Sequence, residues 1–332
     1  MLILGLESSC DDTAAAVLED TVIRSSIVSS QFDVHARYGG IVPELAARSH
    51  IEAIRPVVDE ALSRAGVGLS RIDAVAVTRG PGLVGSLLIA FTFGKAIALV
   101  RGLPCVGVDH MAGHLLSVFL GDKKPDFPYI ALVVSGGNTS LFRVDSHTRF
   151  TCLGRTRDDA AGEAFDKVAK LLELGYPGGP AISKCAENGN ADAVDFPRAW
   201  LDHRSLDFSF SGLKTAVVNH VRQRRGRVSL ERADICASFQ EAVVDVLVEK
   251  TLRACAAQKI NRVVMGGGVA ANNRLRQHMT RRCGEEEIEL FIPLPEHCTD
   301  NGAMIGLAGY YLLRDGKTID ADSDVFSRSP LA

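Results

Sequence analysis

The stretch MLILGLESSCDDTAAAVLED, residues 1–20, decides the fold. An apolar run ends in the polar turn ESSCDD, and small apolar residues then resume, which predicts two strands joined by a turn. The same order returns in YIALVVSGGNTSLFRVD, residues 129–145, where the turn is SGGN. Because the two stretches share a pattern and not a residue-by-residue repeat, they predict two related lobes that each open with a hairpin.

Helical and strand patterns alternate around both hairpins. Helical periodicity over 43–66 ends at a glycine, and a buried strand is predicted at 72–78. In the second half a long helix is predicted over 232–258, with a strand at 260–265. Such alternation indicates an α/β fold.

The polar, proline-containing segment GDKKPDFP, 121–128, predicts the boundary between the lobes. We expect an N-terminal lobe over 1–121 and a C-terminal lobe over 126–304. We expect the final helix and tail, 305–332, to return to the N-terminal lobe.

Composition excludes several classes of protein. The net charge is -3, so the 332-residue chain has no overall basic surface for nucleic acid, and any such surface must be local. We expect no signal peptide, because Glu7 interrupts the first apolar run, and no apolar run long enough to span a membrane. The eight cysteines include no C-x-x-C pair and indicate a reducing, cytoplasmic setting.

The stretch VDHMAGHLLS, 108–117, carries two histidines four residues apart. If 110–119 is helical, His110 and His114 leave one helix face and suit a divalent metal, although a hydrogen-bonded structural pair has the same spacing. The pattern resembles the metalloprotease helix H-E-x-x-H, but Met111 stands where that helix has glutamate.

A third metal ligand is not fixed by the spacing. Asp300 is one candidate, yet an aspartate immediately before a helix is a usual N-cap, and the residues alone favour that role. His297 and Cys298 are also near in sequence.

Two glycine-rich turns offer backbone N–H groups to a phosphate. The segment VVSGGNTS, 133–140, lies between two predicted strands, where an ordinary hairpin turn is the alternative. In VVMGGGVAANNRLR, 263–276, Gly266, Gly268 and Ala271 satisfy G-x-G-x-x-A, which is a weak signal alone. A nucleotide near a helix N-terminus is compatible with the second turn.

Taken in order, ten motifs resemble the universal tRNA threonylcarbamoyladenosine-synthesis transferases, a family long called O-sialoglycoprotein endopeptidases, in its bacterial form. They cover nearly the whole chain: GLESSCDDT, YGGIVPELAAR, GPGLVGSL, DHMAGH, LVVSGGNTSL, DDAAGEAFDKVAKLL, YPGGP, FSFSGLKT, MGGGVAANNRLR and CTDNGAMIG. The resemblance implies the actin/Hsp70/sugar-kinase fold, with two ribonuclease-H-like lobes around a cleft. It implies transfer of a threonylcarbamoyl group from threonylcarbamoyl-AMP to the adenosine 3′ of the anticodon in tRNAs reading ANN codons.

The resemblance also implies roles for individual residues. His110, His114 and Asp300 match the metal ligands, for one iron(II) or zinc per subunit, which replaces the N-cap preference for Asp300. The chemistry adds one role: the amine nucleophile must lose a proton, and Asp11 and Asp12 are the candidate general bases, although the family usually has Asp-Glu at this pair. The implied substrate-binding residues are Val133, Val134, Ser135, Gly136, Gly137, Asp166, Gly179 and Asn272.

The resemblance implies partners as well: tRNA, a paralogous inactive subunit and a small ATPase. We expect the helix over 44–64 to be part of the docking face, and four arginines within RQRRGR, 222–227, to contact tRNA phosphates. For that basic cluster, an exposed linker between helices is the simpler interpretation. An ATP-dependent kinase or ATPase of the same fold and, less favoured, a metalloprotease are the alternative functions.

Overall fold

The computed structural model describes residues 1–200, 205–224, 228–329 and 331. Its strands are β1 (Leu2–Glu7), β2 (Asp12–Glu19), β3 (Val22–Ser30), β4 (Ala74–Gly80), β5 (Cys105–Asp109), β6 (Tyr129–Val134), β7 (Thr139–Ser146), β8 (Arg149–Arg155), β9 (Arg262–Gly266) and β10 (Glu289–Phe291). Its helices are α1 (Phe32–Ala36), α2 (Pro43–Ala65), α3 (Val84–Arg101), α4 (His110–Leu116), α5 (Ala161–Leu171), α6 (Gly178–Ala186), α7 (Ser211–Gln223), α8 (Val228–Gln258), α9 (Asn273–Glu285), α10 (Pro295–Cys298) and α11 (Gly302–Arg314).

Two five-stranded sheets repeat one strand order. The first runs β3-β2-β1-β4-β5, with β1 antiparallel to β2 and parallel to β4. The second runs β8-β7-β6-β9-β10, with β6 antiparallel to β7 and parallel to β9. Each opening hairpin therefore occupies the same place in its sheet, and the predicted fold class, α/β with two ribonuclease-H-like units, is confirmed.

The chain forms two compact units. The first contains residues 1–124 and 145–150 together with the described chain from 293 onward, and the second contains the described residues of 125–144 and 151–292. Residues 145–150 and the stretch 293–304, which we expected in the second lobe, lie in the first unit.

Close packing of α11 explains where that stretch lies. A side chain at Gly302 would stand 2.6 Å from the backbone nitrogen of Ala16 in β2, and a side chain at Gly5 in β1 would meet the backbone of α11. The helix therefore packs directly on the hairpin β1–β2 through glycines.

Helix α3 corrects the expectation that no apolar run could span a membrane. By length and composition alone, Val84–Arg101 is long and apolar enough to do so. In the structure it is a core helix of the first unit: Leu87, Phe91 and Gly94 are buried. A side chain at Gly94 would collide with Val77 of β4.

Candidate metal centre and nucleotide cavity

Helix α4 carries the two histidines at the end of the parallel strand β5. Asp109 caps it, since its carboxylate accepts from the backbone N–H groups of Met111 at 2.8 Å and Ala112 at 3.4 Å. The α-helix ends at Leu116 and continues only as a 3₁₀ turn, so it is shorter than the predicted 110–119.

Asp300 completes a three-residue group with the histidine pair. Asp300 Oδ1 lies 3.5 Å from His110 Nε2 and 3.2 Å from His114 Nε2. Ligands bonded at about 2.1 Å in tetrahedral geometry stand about 3.4 Å apart, which these separations approach. Both histidines are buried, and the group could bind a metal ion.

The N-cap role that the residues alone favoured for Asp300 is wrong. Asn301 caps α11, and its side-chain oxygen accepts from the backbone N–H of Met304 at 2.8 Å. Of the other candidate ligands, the Cys298 thiol donates to a backbone carbonyl and His297 pairs with the neighbouring glutamate at 3.8 Å. The carboxylate of Asp300 is thus left to face the histidines.

The imidazole of His114 is the strongest local sign of a ligand. Among the described residues, neither of its ring nitrogens makes a hydrogen bond of good geometry, although the side chain is 1% exposed, and Nε2 has only the Asp300 carboxylate near it, at 3.2 Å. A buried polar atom without a partner carries a desolvation cost of about 1–3 kcal/mol. A cation held by His110, His114 and Asp300 would remove that cost at Nε2, so the donor set fits a metal.

Three residues that we did not predict from the sequence hold His110 in place. Glu7, at the end of β1, accepts from His110 Nδ1 at 2.9 Å and from Thr78 Oγ1 at 2.6 Å. The backbone N–H of Ser9 donates to the other oxygen of Glu7. Because Nδ1 carries the proton that Glu7 accepts, Nε2 is left for a metal, as in carboxylate–histidine–metal triads.

Electrostatics within this group favour a charged pair when no metal is bound. Burial lowers the pKa of His110, but the carboxylates of Asp300 and Glu7 outweigh it and raise that pKa to about 9. Burial acts on Asp300 in the opposite sense, yet His110 and His114 hold the pKa of its carboxyl below the ordinary value.

The candidate bases follow β1 in the same unit. Burial, with a smaller contribution from Asp300, raises the pKa of Asp11 above its ordinary value. Burial also raises the pKa of Asp12 to about 7, against a lowering hydrogen bond from Ser30. A carboxyl with a pKa near neutrality suits proton transfer at physiological pH.

The second unit contains a cavity of about 640 Å³. That volume lies within the range of small-molecule and cofactor sites. Four predicted substrate-binding residues from four segments meet there: Gly136, Asp166, Gly179 and Asn272. The lining also includes Gly162, Phe165, Tyr176, Pro177, Pro180, Ser183, Lys184, Glu187, Gly268, Val269, Ala271 and Asn273.

Glycines allow these segments to converge. A side chain at Gly162, in the first turn of α5, would stand 2.5 Å from the carbonyl oxygen of Ser135. A side chain at Gly178 would stand 2.5 Å from Asp166 Cα, and one at Gly267, whose φ is +88°, would collide with the Val134 carbonyl. Only glycine tolerates such approaches without displacing backbone.

The remaining predicted substrate residues lie next to this cavity in the chain. Val133 and Val134 are buried residues of β6, and the backbone N–H of Ser135 donates to the Asn138 carbonyl at 2.8 Å, which closes the turn. Side chains built at Gly136 and Gly137 would meet nothing within 4 Å, so the turn has an open face for a ligand.

Two of the lining residues also make internal contacts. Asp166 Oδ1 accepts from the backbone N–H of Gly178 at 2.7 Å, which ties α5 to the start of α6. Asn272 caps α9 through Leu275 and donates to Gln240 at 2.8 Å. The G-x-G-x-x-A match at 266–271 forms a strand end and a 3₁₀ turn, with α9 beginning only at Asn273.

Another group, Glu241, Asp245 and His278, also has the composition of a metal site. Both carboxylates are already paired: Arg274 donates to both oxygens of Glu241 at 2.6 and 2.5 Å, and Arg198 donates to Asp245 at 2.9 Å. Two guanidinium groups in contact with the carboxylates disfavour a bound cation. We interpret this group as an ion-pair network between α8 and α9.

Two sheets of the same ribonuclease-H-like order, a cavity of nucleotide size and a metal-capable group define a member of the actin/Hsp70/sugar-kinase class. The family model described as "TsaD: tRNA N6-adenosine threonylcarbamoyltransferase" matches residues 22–307, and the chain belongs to that family. It is an acyltransferase that acts in forming threonylcarbamoyladenosine in tRNA.

The similarity to other tRNA N6-adenosine threonylcarbamoyltransferases extends along the full length of the chain. The chain is 55% identical to the tRNA N6-adenosine threonylcarbamoyltransferase of Desulfotalea psychrophila, with 100% of this chain and 98% of the relative covered. It is 53% identical to that of Syntrophus aciditrophicus, with the same coverage. Among solved structures, T. kodakarensis HypF superposes with a TM-score of 0.64 at 15% identity, over 94% of this chain and 48% of HypF, which shows the fold alone.

Proposed function

We propose that the chain transfers the threonylcarbamoyl group of threonylcarbamoyl-AMP to the N6 amine of the adenosine 3′ of the anticodon, in tRNAs reading ANN codons. A bond forms between N6 and the carbamoyl carbon, the bond from that carbon to the phosphate oxygen breaks, and AMP leaves with the electron pair. The observation that carries this proposal is the cavity, in which the glycine turn at Gly136 and the carboxylate of Asp166 meet.

The cavity supports binding of the AMP part of the donor. Backbone N–H groups of an open glycine turn suit a phosphate. Phe165 and Val269 give the cavity an apolar wall for a base, and Asp166 gives it a carboxylate for ribose hydroxyls. We assign Gly179 and Asn272 to the same nucleotide contacts.

His110, His114 and Asp300 are the proposed ligands of one iron(II) or zinc ion, because two imidazoles and a carboxylate suit either metal. When bound, the metal supplies Lewis acidity to the acyl carbonyl or phosphate of the donor. The donor is already an activated anhydride, so no water has to be deprotonated. This explains why Met111 can stand where a metalloprotease has its catalytic glutamate.

The amine must lose a proton as its bond to the carbamoyl carbon forms. We propose Asp12 as the group that accepts it, with Asp11 as the alternative, since the pKa of Asp12 is raised to about 7. One oxygen of Asp12 is buried without a hydrogen-bond partner among the described residues, so no described donor competes with a proton for that oxygen.

The helices α2 and α3 support docking of a paralogous subunit, with a small ATPase as the further partner. Apolar side chains on both helices face outward: Ile51 is 61% exposed, Val84 47% and Leu88 39%. Exposed apolar side chains grouped on adjacent helices are typical of protein interfaces. Replacing Ile51 with glutamate should abolish complex formation in size-exclusion chromatography without lowering the melting temperature.

A local basic strip is proposed to contact the phosphates of tRNA. Arg222 and Arg224 are exposed at the end of α7, and Arg224 lies 3.4 Å from Glu231. Arg225 and Arg227 of the same cluster lie outside the described residues. Reversing Arg222 and Arg224 to glutamate should weaken tRNA binding and shallow its salt dependence, whereas unchanged binding at every salt concentration would identify the segment as a linker.

Complementation tests the whole proposal. Expression of the chain in cells depleted of threonylcarbamoyladenosine should restore that nucleoside, measured by mass spectrometry of digested tRNA. Assays of ATP hydrolysis and peptide cleavage on the same purified protein distinguish the ATPase and metalloprotease alternatives. Turnover in either assay without nucleoside restoration would overturn the proposal.

A further inference from the structure

The last described residues cross the first unit as an ordered segment. After α11 ends, the backbone N–H of Ile319 donates to the Cys105 carbonyl at 2.9 Å, on the edge strand β5. Lys95 Nζ of α3 then donates to the carbonyl oxygens of Ala321 at 2.6 Å and Ser323 at 2.8 Å. We call residues 317–329 the strap.

The strap is next held at the end of β4. Arg79 Nε donates to the Asp324 carbonyl at 2.6 Å, and the backbone N–H of Phe326 donates to the Arg79 carbonyl at 3.0 Å. A side chain at Gly80, whose φ is +148°, would collide with the backbone of Phe326. The glycine at position 80 therefore leaves space for the strap, which a side chain at this position would occupy.

The strap ends at Asp109, the N-cap of α4. Ser329 Oγ donates to Asp109 Oδ2 at 2.6 Å, while Oδ1 of the same carboxylate accepts from the first N–H groups of α4. Helix α4 has seven residues, and so short a helix depends on its cap and its packing for stability. The Asp109 carboxylate thus holds the first turn of α4, which begins at the next residue, His110.

We propose that the strap positions α4 through the hydrogen bond from Ser329 to Asp109, which makes Ser329 a positioning residue. Without this bond, the Asp109 carboxylate can rotate away from the N–H groups of Met111 and Ala112. The first turn of α4 then frays, and the two imidazoles are held less firmly for a cation. The proposal rests on the assignment of His110 and His114 as metal ligands.

The test is a Co²⁺ titration of the metal-free full chain, followed by the visible absorption of the bound ion. Ser329→Ala should raise the apparent Kd for Co²⁺ about three- to tenfold, as expected for a weakened outer contact of a ligand. Ser323→Ala is the matched control. Among the described residues, the Ser323 hydroxyl has one hydrogen bond, accepted from Asp320 N within the strap, so the Kd of this variant should equal that of the wild type. Ser329→Thr retains a hydroxyl and should restore wild-type affinity.

Hydrogen exchange separates this proposal from the ligand assignment. In the metal-free protein, the Met111 and Ala112 amides should exchange faster in Ser329→Ala than in Ser323→Ala. Equal exchange and equal Kd in the two variants would overturn the positioning role. If the wild type bound no Co²⁺, the ligand assignment would fail, and the exchange rates alone would decide whether the strap holds α4.

Discussion

Replacing Glu7 with glutamine should weaken metal binding without touching a ligand. The Glu7 carboxylate accepts from three donors: His110 Nδ1 at 2.9 Å, Thr78 Oγ1 at 2.6 Å and the backbone N–H of Ser9. A glutamine side chain has one acceptor oxygen and one NH₂ group. In either orientation its NH₂ faces a donor, so at least one buried donor loses its partner.

The expected magnitude follows from these contacts. An unpartnered buried donor costs about 1–3 kcal/mol of folding stability. The loss of a charged hydrogen-bond partner from a metal-bound histidine lowers metal affinity about 10- to 100-fold, or about 1.4–2.7 kcal/mol. Glu19→Gln is the control, because Glu19 has a half-exposed side chain paired with Arg24 and should change both quantities by less than about 0.5 kcal/mol.

Isothermal titration of the metal-free variants with Zn²⁺, beside their thermal unfolding, measures both effects. If Glu7→Gln is folded and binds Zn²⁺ within twofold of Glu19→Gln, Glu7 does not determine which nitrogen of His110 is available to the metal.

Three further predictions concern pH and the glycine contacts. Since the pKa of His110 is about 9 without metal, a proton competes for this ligand, and metal affinity should rise about tenfold per pH unit from pH 6 to 8; titrations showing constant affinity would contradict this. The folded pKa of Asp12 lies above its ordinary value, so its contribution to stability is present at low pH and is lost as pH rises through 7. Between pH 5 and 8, the free energy of unfolding of the metal-free wild type, measured with denaturant, should therefore fall by about 1–2 kcal/mol more than that of Asp12→Asn. If the two free energies change in parallel with pH, the pKa of Asp12 is not raised. Gly267→Ala should destabilise the protein by at least about 1–3 kcal/mol, because residue 267 has a positive φ and a side chain there would collide with the Val134 carbonyl. A side chain at Gly179 meets nothing within 4 Å, so Gly179→Ala should lower donor affinity and leave stability unchanged. Equal melting temperatures of the two variants would contradict this prediction.

Much of the fold was predictable because its signals are local. The paired apolar runs at 1–20 and 129–145 form the two hairpins, and Gly66, with φ +68°, ends α2 as its position predicts. The spacing of His110 and His114 fixed their shared helix face in advance. These features depend on periodicity and on backbone conformations that few residues adopt.

The rest of the site depends on contacts between distant parts of the chain. The residues alone favour Asp300 as the N-cap of α11, but Asn301 takes that place in the structure. How α11 packs on the first hairpin is not visible in the local sequence. Glu7 is a charge at the end of an apolar strand, which signals an unusual site but not its partner 103 residues away. Ser329 carries no local signal, because its role exists only where the strap meets the cap of α4.

The most direct test of the account combines chemistry and metal in one measurement. The purified chain with its partner subunits is given threonylcarbamoyl-AMP and tRNA, and released AMP is counted against threonylcarbamoyladenosine by mass spectrometry. We predict one AMP per modified adenosine in the wild type. In the His110→Ala, His114→Ala double variant we predict neither product nor bound metal, with donor affinity retained. Full modification by that variant, or AMP release without modified adenosine in the wild type, would contradict the account.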